Sequence, residues 1–393
     1  MSDLQDLRQV TAADVFKAGR RAARLTRNQD GGVDFGYHPD YLPDGQPIAF
    51  TLPVGPEILR RPAGAVPPYF AGLLPEGRRL TVLRRAVKTS EDDELSLLLA
   101  VGTDAPGDVQ VVPAGRLPAD TPALLHDAEP ADLEFGRLLD SVDPHAIPGV
   151  QPKASASMIS LPLTTHLGSF ILKLPQPEYP HLIENEFAHL LAARDLRIPV
   201  AEAELVTDRT GTTGLLVRRF DRTAESGRLP FEDAAQVLGL PPASKYLPES
   251  ADLVRALAGV TAAPAVAVRN LYLQFFFAWL TGNGDLHAKN VGVLRAAEGG
   301  WVVAPIYDIP STLIYDDDAM AVPIAGRTRN LRARDWIAFA ADIGLTERAA
   351  ASARHVALRA ADGVDYARLP FTGSPLHRLE RELRARRHEL DRF

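Results

Sequence analysis

Cysteine is absent from the 393 residues. That excludes disulfides, thiolate catalysis and cysteine-based zinc or iron–sulfur sites, and it is compatible with a reducing cytosol. Positive charge is in short supply: 43 Lys and Arg against 50 Asp and Glu leave a net charge of -7. General nucleic-acid binding normally needs the opposite balance, although a local basic patch stays open. Long apolar runs are missing too. The stretch "LYLQFFFAWL" is far shorter than the ~20 residues that span a bilayer. The opening "MSDLQDLRQV" lacks the basic-then-apolar order of a signal peptide. Internal repeats and long low-complexity tracts do not occur. These absences lead us to expect a soluble cytoplasmic protein with no membrane role.

What remains is an ordinary globular composition, 46% hydrophobic and 24% charged, long enough for two or three lobes with their own cores. Residues 30–115 are rich in Gly and Pro, with short apolar runs such as "IAFTLPV" and "DVQVVP", and read as a small mixed α/β unit. Within them "SEDDELSLLLAV" is expected to be helical, with Ser90 as N-cap and acids in the first turn. Residues 113–132 carry Pro, Ala and acids without a long apolar pattern and form a candidate linker. From Leu133 a second unit follows. "GSFILKL" and "TGLLVRRF" read as strands, and "ENEFAHLLAARDL" between them as a helix with an apolar stripe at Phe187, Leu190 and Leu191. Beyond residue 230 the pattern turns helical: "FEDAAQVLGL", "SADLVRALAGV", "AVRNLYLQFFFAWL", "ARDWIAFAADIGL" and a charged tail, "HRLERELRARRHELDRF". The tail is most simply a solvated helix with i,i+4 ion pairs. One hairpin, "NVGVLRA" with "WVVAPIYDI", interrupts the helices.

The densest chemistry lies in "TGNGDLHAKN", directly after the most apolar helix. Asp285 and Asn290 stand five apart, the spacing at which a carboxylate can face an attacking hydroxyl while an amide oxygen turns toward a metal on phosphates. Asp308, in "YDI" at the expected end of a strand, supplies a second carboxylate. Asp, Asn and Asp oxygens suit Mg²⁺, which fills its remaining positions with phosphates and waters. Lys173 in "FILKL" has apolar neighbours that predict a buried stem, so its ammonium needs a partner. Glu186 and Glu184 on the following helix both qualify. Read alone, Lys173 could also be an edge-strand lysine facing solvent. His287 reads as a hydrogen-bond donor that orders the loop, and Lys289 as either solvated or in reach of a phosphate. "IPGVQPK" could lay Gly149 backbone and Lys153 against phosphates.

The ordered set of segments resembles the HipA family, bacterial serine/threonine kinases that act as toxins of type II toxin–antitoxin modules. It runs from "YFAGLLPEGRRL", "DDELSLLLAVGTDAPGDVQVVP" and "IPGVQPKASASM" through "FILKLP", "ENEFAHLLAARDLRIPVAEAEL", "LLVRRFDR" and "FEDAAQVLGLPPASKY" to "NGDLHAKN" and "YDI". The resemblance implies an α+β fold: a protein-kinase-like two-lobed core, with a mixed α/β N-lobe and a mainly helical C-lobe, behind a small N-terminal α/β subdomain. It implies boundaries at 1–125, 126–225 and 226–393. It implies Asp285 as catalytic aspartate, Asn290 and Asp308 as Mg²⁺ ligands, and Lys173 on the phosphates of ATP. Gly149, Val150, Gln151 and Lys153 would lie in the loop over those phosphates. Arg218 and Phe220 would fall where the hinge backbone meets adenine, with His287 and Tyr307 lining the same site. The implied partners are a protein substrate such as an aminoacyl-tRNA synthetase, notably the glutamyl enzyme, and a HipB-like helix-turn-helix antitoxin through which DNA is mainly contacted. The alternatives are a small-molecule kinase on the same scaffold and a non-catalytic co-repressor or binding subunit.

The sequence departs from that family at one place. Well-studied members carry an autophosphorylated serine at the start of the phosphate loop, and alignment on "GVQPK" puts Ala146 there. Self-inactivation at that position is excluded by chemistry, since alanine has no hydroxyl. Incubation with ATP followed by mass spectrometry checks for a substitute: phosphate on Ser141, Ser155 or Ser157 would identify one.

Overall fold

The structure, a computed structural model, describes residues 4–118, 130–142, 159–165, 168–175, 177–223 and 227–391. Its first layer is an antiparallel sheet of β1 (Ala12–Lys17), β2 (Arg20–Arg27), β3 (Gly32–Tyr37), β4 (Leu59–Ala63) and β5 (Val109–Pro113), in the order β4-β3-β2-β1-β5. Three helices lie between β4 and β5: α1 (Pro68–Gly72), α2 (Gly77–Val87) and α3 (Glu94–Val101). Tyr69, Phe70, Leu95 and Leu98 from α1 and α3 join Val15, Leu25, Phe35 and Val111 of the strands in one core. α3 starts later than expected. Its cap is Asp93, whose side chain accepts from the Ser96 N–H at 3.4 Å. Ser90 sits one turn earlier, and its carbonyl accepts from the Asp93 N–H.

The second layer begins after α4 (Phe135–Val142). β6 (Ile159–Thr165), β7 (Gly168–Leu174), β8 (Ala203–Thr207) and β9 (Thr213–Arg218) form an antiparallel sheet in the order β6-β7-β9-β8. β7 is therefore an inner strand. Lys173 faces Ser160 across one ladder and Leu215 across the other, so it is not the edge lysine that its position alone allowed. Helix α5 (Leu182–Ala193) crosses between β7 and β8. Its apolar stripe differs from the expected one. Leu190 is buried, but Leu191 is 41% exposed, and the buried face instead runs through Leu182, Ile183, Glu186 and Ala193. A carboxylate with a buried cation to meet has displaced the simple hydrophobic period.

The third part is mainly helical. It contains β10 (Phe231–Asp233), α6 (Ala234–Val237), α7 (Ser250–Val260), α8 (Pro264–Thr281), β11 (Gly292–Arg295), β12 (Trp301–Val303), α9 (Ala333–Asp342), α10 (Glu347–Asp362) and α11 (Ser374–Asp391). The segment "FEDAAQVLGL" is not one helix, as its sequence suggested. Phe231–Asp233 pairs with β11 and makes a three-stranded sheet, β10-β11-β12. Only then does a single helical turn start, with Asp233 and Gln236 satisfying each other's backbone N–H groups in a capping box. Asp308 also falls outside expectation: β12 ends at Val303, and Asp308 lies five residues beyond it in left-handed backbone (φ 56°).

Helix α8 is the centre of this lobe. From Leu271 to Thr281 every side chain is buried, with Phe276 against Tyr272 and Trp336 at ring-centroid distances of 5.7 and 4.5 Å. Sequence reasoning passed over α10, because its inward residues Ala353, Ala357 and Ala360 do not stand out in an alanine-rich stretch. The charged tail is no free solvated helix. α11 buries Leu379, Leu383 and Leu390 and lays the Arg386 guanidinium 3.6 Å from the Trp279 ring centroid. Arg386 donates to the carbonyls of Trp279 and Asp318.

Phe276→Ala should cost about 3–5 kcal/mol, since a fully buried aromatic leaves a cavity between α8 and α9. Denaturant or thermal unfolding checks it, and a loss below about 1 kcal/mol would contradict this packing.

Candidate active site

Lys173 occupies the position where the sheet, α5 and the segment after β12 converge. Its Nζ donates to both oxygens of Glu186, at 2.7 and 2.9 Å, and to Asp308 Oδ1 at 2.8 Å. Of the two candidate glutamates, the fold therefore selects Glu186. Burial opposes the lysine charge, but Asp308 and then Glu186 outweigh it and raise the pKa above its ordinary value. Glu186 is pushed above the ordinary carboxylate range, by burial first and by the Asp308 charge beside it, against the pull of Lys173. Two carboxylates share one ammonium, so the cluster carries surplus negative charge. Asn185, the neighbour of Glu186, ties α5 to the same segment: it donates to the Ser311 carbonyl and accepts the Ser311 N–H, both at 2.9 Å.

The loop bearing Asp285 is held from below by α8. Gly282 ends that helix in left-handed backbone, φ 73°, and a Cβ there would lie 2.7 Å from Leu313 Cβ. At Gly284 a Cβ would meet the Ala319 carbonyl at 2.5 Å and Thr312 Oγ1 at 2.6 Å. Both glycines in "TGNGDLHAKN" are thus required by the close approach of residues 311–319. Thr312 completes the zipper, accepting the Gly284 N–H at 2.7 Å while its own N–H donates to the Gly282 carbonyl.

Within the loop Asp285 is 1% exposed. Asn283 Oδ1 accepts its N–H at 2.9 Å, Asn290 Nδ2 donates to its carbonyl at 2.8 Å, and the Tyr246 hydroxyl donates to its Oδ1 at 3.2 Å. Because the Asn290 nitrogen is committed, its amide oxygen is the atom left to accept. Tyr307, next to Asp308, donates its hydroxyl to the Lys289 carbonyl at 2.7 Å. The Asp285–Asn290 loop and the Lys173–Asp308 cluster are thereby stitched into one wall. Among the described residues no group of three or more His, Cys, Asp or Glu side chains is placed to hold a metal. The available donors are hard oxygens, Asn290 Oδ1 and the Asp308 carboxylate, beside surplus negative charge. That set fits a divalent ion completing its shell with phosphates and waters, as Mg²⁺ does.

Other expected site residues distribute unevenly. His287 is buried, and its Nδ1 accepts the Lys289 N–H at 3.2 Å, so it orders the loop as an acceptor and not as the expected donor. Burial, then Lys245, lowers its pKa to about 3, which keeps the ring neutral. The Phe220 and Tyr307 rings touch, with centroids 5.5 Å apart. The Arg218 side chain turns outward, over Phe170 and onto Glu202 at 2.9 Å, and its N–H donates to the Glu202 carbonyl at 2.8 Å. Lys289 is neither solvated nor left open for a phosphate: it is held by Glu76 at 3.3 Å and by the Gly72 carbonyl. Gly149, Val150, Gln151 and Lys153 lie outside the described residues, as does Ala146. Sequence reasoning assigned no role to Tyr246, Asn185 or Thr312. The polar pair closing the proline-rich "LPPASKY" was a signal for Tyr246; the other two had none.

The Lys173–Glu186 pair and the Asp285–Asn290 loop stand on segments joined through Tyr307, and comparison with known proteins puts the chain among the kinases. Two family models match the chain: the HipA N-terminal domain over residues 13–112 and the HipA-like C-terminal domain over residues 145–364. The chain belongs to the HipA family of kinases. A protein of Sinorhizobium fredii, provisionally named the kinase Y4dM, is 33% identical over 355 residues, covering 82% of this chain and 83% of its own. The serine/threonine-protein kinase toxin HipA of Shewanella oneidensis is 26% identical over 344 residues, covering 79% of this chain and 78% of its own. A solved complex of Shewanella oneidensis HipA with HipB and operator DNA matches with a TM-score of 0.77, covering 97% of both chains at 21% identity. That likeness shows the fold, the α+β architecture expected from the sequence.

His189 lies one turn beyond Glu186 on α5. It donates from Nδ1 to the Asn185 carbonyl and meets the Tyr366 hydroxyl at Nε2. Burial lowers its pKa from 6.5 to about 4. In that window the unfolded chain binds the proton and the folded chain does not, so stability falls as pH drops from 6.5 toward 4, by at most about 1.4 kcal/mol per pH unit. His189→Gln should flatten this limb. Unfolding midpoints of both proteins across that range measure the difference.

Proposed function

We propose that the protein transfers the γ-phosphoryl group of ATP to a serine or threonine hydroxyl of a protein substrate. The observation that carries this is the convergence of Lys173, Glu186 and Asp308 beside the Asp285–Asn290 loop. Asp285 orients the acceptor hydroxyl and takes its proton, with Tyr246 and Asn290 fixing its geometry. Lys173, held by Glu186, faces the nucleotide phosphates. Mg²⁺ bound through Asn290 and Asp308 would neutralise charge on those phosphates. Phe220 and Tyr307 offer apolar faces for adenine beside residues 218–220, and Gly149, Val150, Gln151 and Lys153, outside the described residues, would contact the phosphates. Transfer of this kind needs little covalent help, so positioning and fixed charge supply most of the rate. The division into 1–125, 126–225 and 226–393 follows from the same reading.

We further infer the toxin role of a type II toxin–antitoxin module, with an aminoacyl-tRNA synthetase or another translation protein as substrate and growth arrest as the result. Support comes from the named toxin relative and from the neighbouring complex of HipA, HipB and operator DNA. A HipB-like helix-turn-helix partner fits the net charge of -7, because the DNA contacts would come mainly from that partner. No helix among the described residues is long and apolar enough to cross a membrane, in keeping with a cytoplasmic target.

Labelled ATP incubated with the protein and a bacterial lysate should place phosphate on serine or threonine of a protein. Asp285→Asn should lower that transfer by about 10²–10⁴-fold, the usual span for losing a positioned base, without lowering the thermal midpoint. Transfer at the native rate by the variant would end the assignment. Label confined to small molecules would indicate a small-molecule kinase, and nucleotide binding without any transfer a co-repressor subunit.

A further inference from the structure

Glu76 has no part in the mechanism above. It precedes α2, in the unit built on the first sheet, far in sequence from the loop it touches. Its Oε2 meets Lys245 Nζ at 2.5 Å and its Oε1 meets Lys289 Nζ at 3.3 Å. Lys289 lies inside the Asp285–Asn290 loop and also donates to the Gly72 carbonyl at 3.0 Å, the last residue of α1. Lys245 directly precedes Tyr246, whose hydroxyl reaches Asp285. The Lys245 carbonyl in turn accepts the Ala288 N–H at 3.1 Å. One carboxylate therefore sits between two lysines, each belonging to a segment that fixes Asp285. The lysine side chains are only 10% and 13% exposed. Without Glu76, two poorly hydrated ammonium groups would lose their common counter-ion and separate. Burial opposes the Glu76 charge, but Lys289 and Lys245 outweigh it and bring the pKa down to about 2.

We propose that Glu76 is a positioning residue, through which the N-terminal unit holds Lys289 and the Lys245–Tyr246 segment in the geometry that Asp285 requires. The expected effect on rate rests on the kinase reading; the effect on geometry does not. A merely adhesive role for Glu76 is the competing account, and the structure supplies other adhesive. Asp104 takes Arg219 and Arg222 at 2.8 and 3.0 Å, Asp221 accepts the Gly107 N–H at 2.8 Å, and Gln236 donates to the Tyr69 carbonyl at 2.9 Å. Docking of the N-terminal unit therefore survives the loss of one carboxylate.

The test compares wild type, Glu76→Gln and Glu76→Asp as full-length proteins. Two quantities are followed: phosphate transfer from Mg–ATP to lysate protein, and acetylation of Lys245 by acetic anhydride read by mass spectrometry. In Glu76→Gln we expect kcat to fall by about 10–100-fold, as for a displaced loop, with the KM for ATP changed by no more than about twofold. The thermal midpoint falls, because two buried ammonium groups lose their counter-ion, so rates are compared well below the variant's midpoint; Lys245 labels several-fold faster, and Glu76→Asp restores part of the rate. Native kcat in Glu76→Gln would overturn the proposal, as would a rate loss, measured well below the midpoint, that Glu76→Asp does not lessen. Should the wild type transfer no phosphate to anything, the kinase reading fails by itself. Lys245 acetylation then decides the positioning claim alone, and an unchanged labelling rate refutes it.

Discussion

One buried ammonium shared by two carboxylates governs the arrangement of this protein. Lys173 reaches Glu186 from the second sheet and Asp308 from the segment after β12. Removing one partner of such a cluster costs about 3–5 kcal/mol, because it leaves a charge buried without its counter-ion. The requirement fixes three elements at once. β7 must be an inner strand, α5 must turn its carboxylate inward at the expense of an apolar stripe, and Asp308 must take up left-handed backbone. The same cluster is short of positive charge, so its electrostatics favour a further cation beside it.

Around that cluster the lobes are joined by polar contacts as much as by apolar packing. Residues 307–312 run alongside residues 282–290, zipped by Thr312, Tyr307 and the Gly282 carbonyl. The two glycines before Asp285 are the condition for this closeness. The N-terminal unit adds a second brace from outside, with Asp104 on the arginines that follow β9 and Glu76 on the lysines beside Asp285. The unit is thus in electrical contact with the loop, although its strands and core are its own.

Much of the fold was legible because its elements carry strong local signals. α7 and α9 have periodic patterns, α8 is a long apolar run, and β7 and β9 are short apolar runs opened by glycine. The failures share a cause. Ser90 gave way to Asp93 as a cap because two acceptors competed within four residues. "FEDAAQVLGL" became strand then turn because β11 needed a partner, a demand that arises far along the chain. α10 was hidden because alanine packs well without looking hydrophobic. The tail helix looked solvated because arginine can bury its stem on an aromatic ring, as Arg386 does on Trp279.

The sequence by itself determined the chemistry available: no thiols, a carboxylate and an amide five apart after an apolar helix, a lysine in an apolar strand, and the ordered segments that mark the family. Those are properties of residue type and spacing, which folding does not alter. Only the tertiary structure decided which partners meet. It chose Glu186 over Glu184, turned Arg218 away, made His287 an acceptor and gave Lys289 to Glu76. Each of these depends on the meeting of side chains distant in sequence, and the free energy of a buried charge is set by what stands within a few ångströms of it.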